Sequence, residues 1–516
     1  MIKRLKIPGA EAPASARTAK SIELSASAQP LLDFSVQQVV DVWAAREISG
    51  QVVVPLEPPA QQATGQIYEV EFDGGIKLWL RASSFYREFG AARSRGADEL
   101  VIMPKINKPP NTRSGASEIA IRQVTVYKWQ RQKAARGLAA DLLKDAAAEG
   151  ITNAAAGWIA GHFAGSVGRF AESHQLGDDP PGLYALDLDG QFAAKKVDGF
   201  EGEGPFLVFI HGTLSSCKGS FENLWKANNA AGAEARRQLR ERYRQAYAWQ
   251  HYTLTESPIE NALALAKLLP AKAKLHLVTH SRGGLVGDLL CLGQYQSTGE
   301  KTSASPFASD DKRYQTRARN LAELIALLGE KQVQVERYVR VGCPARGTTL
   351  ASNRLDRWLS IFKLLGDLVS PLKLPLNVLL AIIAEHEDPS SLPGLEAMMP
   401  GSPLIRTLNL PQIKVRADLS VIAGDIEGSG LFGRLKEFAL DQFFEDESDV
   451  VVNTGAMYGG LGRVMPGRFF LDRGPNVNHF SYFDNAQTVR MIAAGLLRLE
   501  GSEAGFEPLT LAKEKE

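Results

Sequence analysis

The chain has 516 residues, 44% hydrophobic and 23% charged, with 59 Lys and Arg against 58 Asp and Glu. This is the composition of a globular protein long enough for about two to four domains. A formal charge of +1 leaves no global field to draw it onto nucleic acid or anionic lipid. Three cysteines, Cys217, Cys291 and Cys343, exclude a disulfide scaffold and predict small buried thiols in a reducing, cytoplasmic setting.

The N-terminal MIKRLKIPGAEAPASARTAK is basic but lacks an apolar h-region, so 1–20 reads as a flexible arm and not as a signal peptide. Over 21–130, short β-type runs (SIEL, QVVVPL, QIYEVEF, IKLWLR, ELVIMP, EIAIRQVTVYKW) are separated by turn signals such as Asp73-Gly74-Gly75 and Lys108-Pro109-Pro110-Asn111. They predict a small β-rich domain. It shows no catalytic constellation and is a candidate for recruiting a protein partner, covering a site or dimerising. Residues 131–181 are largely Ala-rich and helical in pattern, and predict a linker. Within them, 150–168 is uncharged but too weakly apolar to span a bilayer, and predicts a buried helix.

The break Asp179-Pro180-Pro181-Gly182 opens a second domain, 182–500, where strands alternate with amphipathic helices. That alternation predicts an α/β architecture: a mostly parallel sheet flanked by helices. The apolar run 205–210 reads as a strand buried on both faces, with further strands at 247–254, 275–278, 333–341, 419–423 and 468–471. Ser257 and Pro258 fit the N-cap and first position of a helix, and a last helix spans 486–499. Residues 501–516 read as a loose tail.

Chemistry concentrates at two strand ends. In Leu277-Val-Thr-His-Ser-Arg-Gly-Gly-Leu285 an apolar strand ends, a serine stands between bulky neighbours, and two glycines open a helix. This is the setting of a nucleophile elbow, with Ser281 raised at the sheet edge. A tight turn needs small residues two positions away; Gly283 complies, while Thr279 departs from the usual glycine. Upstream, the strand ending at Ile210 runs into His211-Gly212-Thr213-Leu214. Gly212 allows the backbone close to a bound carbonyl, so the N–H groups of Thr213 and Arg282 are candidate oxyanion donors. His211 precedes that turn and reads as structural. None of the cysteines sits at the elbow, and no His or Cys pair has zinc-ligand spacing, so no metal or other cofactor is expected.

With FLVFIHGT, LVTHSRGGLVG, VGCPARGTTLAS (341–352) and LPGLEAMMPGSPLIRTLN (392–409), residues 182–500 resemble the α/β-hydrolase superfamily, and within it the lipase-like serine hydrolases. The first 180 residues lie outside the resemblance. It implies a catalytic triad in chain order Ser, acid, His. Only His386 and His479 follow Ser281; His386 lies in the charged Ala384-Glu-His-Glu-Asp388, and His479 lies in the loop before the last helix, where the family carries its base. For the acid, Asp449 in Glu447-Ser-Asp-Val-Val-Val452 is preferred, Asp425 after the strand ending at Gly424 is the main alternative, and Asp446 is more distant.

Residues 351–410 fall where the family carries a helical cap, and apolar runs such as Trp358-Leu-Ser-Ile-Phe362 and 374–383 favour a greasy acyl substrate. The other reading of those runs is core between cap and sheet. Peripheral contact with a lipid surface stays open, although Lys363, Asp367 and Lys373 interrupt the run. The expected activity is cleavage of a carboxylic, lipid-like or other acyl ester through an acyl-enzyme. Acyltransferase and thioesterase chemistry on the same triad, and a catalytically silent interaction protein with this fold, are the alternatives.

Overall fold

The computed structural model describes residues 4–25, 32–42, 51–55, 64–72, 75–89, 99–102, 120–131, 168–169, 172–173, 176, 179–297, 307, 311–348, 355–356, 359–360, 363–364, 376–385, 391–427, 448–449, 451–498 and 505–509. The expected helices over 132–167, as well as His386 and Asp446, lie outside these residues. Two compact units emerge: Met1–Ala171 with Asn353–Leu368 and Lys373–Ser391, and Glu172–Ser352 with Val369–Leu372 and Leu392–Glu516.

The first unit is built on strands β1 (Arg4–Glu11), β2 (Leu32–Val42), β3 (Gln51–Pro55), β4 (Thr64–Phe72), β5 (Lys77–Arg81), β6 (Glu99–Val101) and β7 (Ile121–Arg131). They pair in the order β3-β1-β2-β7-β4-β5, with β6 parallel to β1. The sheet corrects the expected arm: Leu5 and Ile7 are buried and alternate with Lys6, the period of a half-buried strand. Residues Ala14–Ser25, including the SIEL run, form helix α1, since Ala-rich sequence favours helix over strand. Lys20 of α1 pairs with the buried Glu69, whose carboxylate also accepts from Trp79 Nε1 (2.9 Å) and the Tyr127 hydroxyl (2.7 Å). A second helix, α2 (Ala82–Phe89), follows β5.

Part of the segment read as a cap belongs to this first unit. Strand β5 is an edge, so its outward amides need acceptors: Trp79 N–H donates to Ser360 Oγ (2.8 Å) and Arg81 N–H to Asp356 Oδ2 (3.2 Å). Helix Leu376–Glu385 packs against β5 and β4 with Val378 to Ile383 fully buried. Its apolar run is therefore core.

The second unit holds β8 (Gly182–Asp187), β9 (Ala193–Val197), β10 (Phe206–Ile210), β11 (Ala246–Gln250), β12 (Lys274–His280), β13 (Tyr295–Ser297), β14 (Gln334–Val341), β15 (Ile413–Val415), β16 (Asp418–Ile426), β17 (Gly462–Arg463), β18 (Arg468–Gly474) and β19 (Glu507–Pro508). Nine form one sheet in the order β19-β18-β16-β14-β12-β10-β11-β8-β9, and β13, β15 and β17 form a small separate one. From β11 across to β18 the pairing is parallel; β8, β9 and β19 join antiparallel at the margins. The expected tail thus supplies a two-residue edge strand.

Side-chain alternation gives this sheet two buried faces. Leu207, Phe209, Val278, Val339, Val341 and Ile422 pack with Ala235 and Leu239 of helix α3 (Ala230–Arg242) and with the last helix, Ala486–Leu497. Toward the other face lie α4 (Pro258–Leu268), α5 (Gly283–Leu290) and α6 (Lys312–Glu330), where Gly284 and Gly287 of α5 abut Arg340 and Tyr338 of β14. The Ser257 cap of α4 is a complete capping box with Glu260. Among the described residues, no helix is long and apolar enough to cross a membrane.

Candidate active site

Ser281 stands directly after β12, in the middle of the sheet. Its backbone has φ +54°, a left-handed conformation that costs a non-glycine residue roughly 1–2 kcal/mol. The surrounding structure imposes it. Ser281 N–H donates to Val341 O (2.8 Å) at the end of β14, and Gly284 N–H donates back to Ser281 O (2.9 Å) as α5 begins. A Cβ at 283 would lie 2.4 Å from Ile210 O and 2.6 Å from His211 O, so only glycine fits there. Thr279, two residues before, is fully buried in β12, in register between Ile210 and Arg340. The turn forms with threonine at that position.

His479 arrives from the loop between β18 and the last helix, and Asp449 from the segment after β16. His479 Nε2 lies 2.8 Å from Ser281 Oγ, and His479 Nδ1 lies 2.7 Å from Asp449 Oδ2. A carboxylate only accepts, so Nδ1 carries the proton and the Nε2 lone pair faces the serine hydroxyl. Asp449 Oδ1 accepts from Val451 N–H (3.0 Å) and Val452 N–H (2.8 Å), and its Oδ2 also accepts from the Tyr482 hydroxyl (2.8 Å). His479 N–H donates to the Asp449 carbonyl (3.1 Å), tying the two residues through the backbone too. Ser281 is 6% exposed, His479 1% and Asp449 0%, so these hydrogen bonds work in a dry setting where they are strongest.

Asp425, the alternative acid, sits within β16. It pairs in register with Arg473, whose Nε is 3.8 Å from its carboxylate; the carboxylate on His479 is that of Asp449.

Gly212 brings the β10 turn against the serine: a Cβ there would lie 2.6 Å from Ser281 Cβ and 3.2 Å from its Oγ. The next amide, Thr213 N–H, and that of Arg282 are both buried and without an acceptor among the described residues. Buried backbone donors are nearly always paired, so these two stand out. Leu214, with φ +48°, donates its N–H to Thr253 Oγ1 (3.0 Å). The 253–255 loop is itself held by the buried Glu172 carboxylate, which accepts from the amides of Thr253, Leu254 and Thr255. The Arg282 side chain turns away, to Glu256 O (2.6 Å) and Gly394 O (3.3 Å); burial lowers its guanidinium to about 10.

His211 is a neutral structural ring. Nδ1 faces Gly212 O (3.0 Å), Nε2 accepts from His251 N–H (3.2 Å), and the two imidazoles stack at 4.1 Å. Burial pushes His211 down to about 3. His280, beside Ser281, donates from Nε2 to the His479 carbonyl (2.8 Å), and its Nδ1 faces Ser220 Oγ (3.3 Å). Burial again, then the His479 ring, push it to about 3. The cysteines are free and buried, and burial lifts Cys291 and Cys343 to about 12, far from thiolate chemistry. A groove of about 420 Å³ along β8 and β9, lined in part by Lys195, Arg240 and Tyr243, includes none of Ser281, His479 and Asp449.

Sequence reasoning did not single out Glu172, His280 or Tyr482. Their roles depend on which strand ends become neighbours, and no local pattern announces that.

The second unit is thus an α/β sheet with a hydrogen-bonded Ser–His–Asp array over its central strands. Over residues 181–304 and 316–497 the chain matches the family described as "Domain of unknown function (DUF7379)", and it belongs to that family. No curated protein matches the chain. Among solved structures it is similar to the mature lipase BlEst2 of Bacillus licheniformis (16% identity, 58% of this chain and 93% of that one, TM-score 0.31). It is also similar to lipase 1 of Pelosinus fermentans (13%, 58% and 100%, TM-score 0.36) and to the metagenomic carboxyl esterase MGS0156 (15%, 57% and 75%, TM-score 0.29).

Proposed function

We propose that this chain is a serine hydrolase of the α/β-hydrolase type that cleaves carboxylic esters through an acyl-enzyme. The observation that carries the reading is the bridging imidazole of His479, 2.8 Å from Ser281 Oγ and 2.7 Å from Asp449 Oδ2. The positive φ of Ser281 and the idle amides of Thr213 and Arg282 support it independently.

In this reading Ser281 Oγ attacks the acyl carbonyl as its proton passes to His479 Nε2, and the carbonyl oxygen becomes an alkoxide facing the Thr213 and Arg282 N–H groups. Asp449 fixes the imidazole tautomer and stabilises the imidazolium. The C–O bond to the alcohol then breaks, the alcohol leaves with the proton from His479, and the acyl group remains on Ser281. Water, deprotonated by His479, attacks the acyl-enzyme and releases the carboxylic acid.

The test is covalent labelling of the full chain by a fluorophosphonate probe, with hydrolysis of acyl esters of increasing chain length. Wild type should label and Ser281→Ala should not, with at least a 10³-fold loss of turnover, about the scale of losing a triad nucleophile. A folded wild type that neither labels nor hydrolyses any ester would overturn the proposal.

A further inference from the structure

We propose that Tyr482 is a positioning residue of this array: its phenol supplies the fourth hydrogen bond to Asp449 and holds that carboxylate on His479. The inference rests on the hydrolase reading above. Tyr482 lies three residues beyond His479, and its hydroxyl donates to Oδ2, the same oxygen that accepts from the imidazole. With Val451 and Val452 on Oδ1, all four acceptor sites of the carboxylate are occupied. The phenol is the second donor on Oδ2 beside the imidazole, and it adds to the two amides on Oδ1 in resisting rotation of the carboxylate away from His479.

The berth for this ring is made by missing side chains. A Cβ on Gly424 of β16 would lie 2.4 Å from the Tyr482 hydroxyl oxygen, and a Cβ on Gly342, just past β14, 2.8 Å from its Cε2. Gly342 itself has φ +56°. Glycine therefore stands where the phenol passes on two neighbouring strands, within β16 and just past β14, and Tyr482 is fully buried there.

The titratable groups facing this cluster are few. The His280 ring is 5.0 Å from His479 and 6.2 Å from Tyr482, and it stays neutral through the working range because burial holds it near 3. Asp472 of β18 and Tyr458 also act on the Tyr482 phenol; Asp472 accepts from Thr488 Oγ1 at 2.8 Å. The Tyr482 hydroxyl is raised well above its ordinary value, first by burial and then by the Asp449 charge, so it remains a donor wherever the enzyme would act.

Removing a donor from a carboxylate raises the proton affinity of the carboxylate–imidazole pair as a unit. Tyr482→Phe in the full chain should therefore lose about tenfold in kcat, with KM little changed. Its acid limb of kcat/KM should move to higher pH by about half to one unit. Gly424→Ala, which drives the phenol off Asp449 but keeps it, should reproduce the limb shift. A packing role alone would lower the rate equally at every pH. If the wild type labels with fluorophosphonate but both variants keep the wild-type limb, the inference is overturned and the hydrolase reading stands. An unlabelled, inactive wild type would remove the reading and this inference with it.

Discussion

Gly212→Ala is the sharpest perturbation of the site, because it adds one methyl group and removes no hydrogen-bonding atom. The new carbon would sit 2.6 Å from Ser281 Cβ and 3.1 Å from His280 O, where two carbons need about 3.5–4.0 Å. Something must move by about 1 Å. Ser281 is the harder partner to displace: its amide is bonded to Val341 O at 2.8 Å, and Gly283 behind it is already wedged against Ile210 O. The turn at 212–213 should yield and carry Thr213 N–H away from the position of the developing oxyanion. Losing one such donor costs about 10²–10³ in turnover, and a 1 Å misplacement about 10². The assay is kcat/KM on a short-chain nitrophenyl ester, with circular dichroism and a thermal melt to establish folding. A folded Gly212→Ala chain within about threefold of wild type would refute the assignment of this turn, since 10² corresponds to nearly 3 kcal/mol.

Two further outcomes follow from the same geometry. Asp449→Asn should lower kcat by about 10³–10⁴, the scale expected when the imidazole loses its correct tautomer, whereas Asp425→Asn should stay within about tenfold; equal losses would mean that the acid has been misassigned. Stability should fall in acid, since His211 and His280 are held near 3 and His276 near 4 by burial, with His251 well below its ordinary value. These rings are neutral when folded and bind protons when unfolded below about pH 6.5, so the unfolded state gains protons and the loss grows as the pH falls from there. Urea titrations should show uptake of about three to four protons on unfolding near pH 5, a slope of roughly 4–5 kcal/mol per pH unit; a flat profile between pH 6.5 and 4 would contradict the burial of these rings.

The parts of the second unit that were legible in the sequence share a cause. Strands such as 206–210 and 274–280 are buried on both faces, so their apolar runs are continuous, and the turn after each is marked by residues whose conformation is local: Ser281 with Gly283, or His211 with Gly212. The first unit was harder to read. Residues 4–11 resembled an arm because Pro8 and Gly9 interrupt a short alternation, yet they pair with β3, β2 and β6. The SIEL run is β-like in composition but lies inside a helix whose Lys20 reaches Glu69, a tertiary partner that propensity cannot register. Helix Leu376–Glu385 is apolar on all sides because it is buried, and its burial partner, β5, is some three hundred residues earlier. Choosing Asp449 over Asp425 from sequence rested on a family pattern; the carboxylate geometry depends on a backbone turn at Val451 and Val452.

The Glu172 carboxylate has a practical consequence for anyone dissecting the chain. The family match begins at residue 181, and a fragment cut at that point would hold the whole matched region while lacking the carboxylate that gathers the amides of Thr253, Leu254 and Thr255. Three donors would lose their acceptor, among them the amide of Thr253, whose hydroxyl receives the Leu214 amide. The start of the working unit is therefore set by a side chain nine positions ahead of the recognisable sequence, and a truncation series spanning 165 to 181 would locate it as a sudden loss of soluble, folded product.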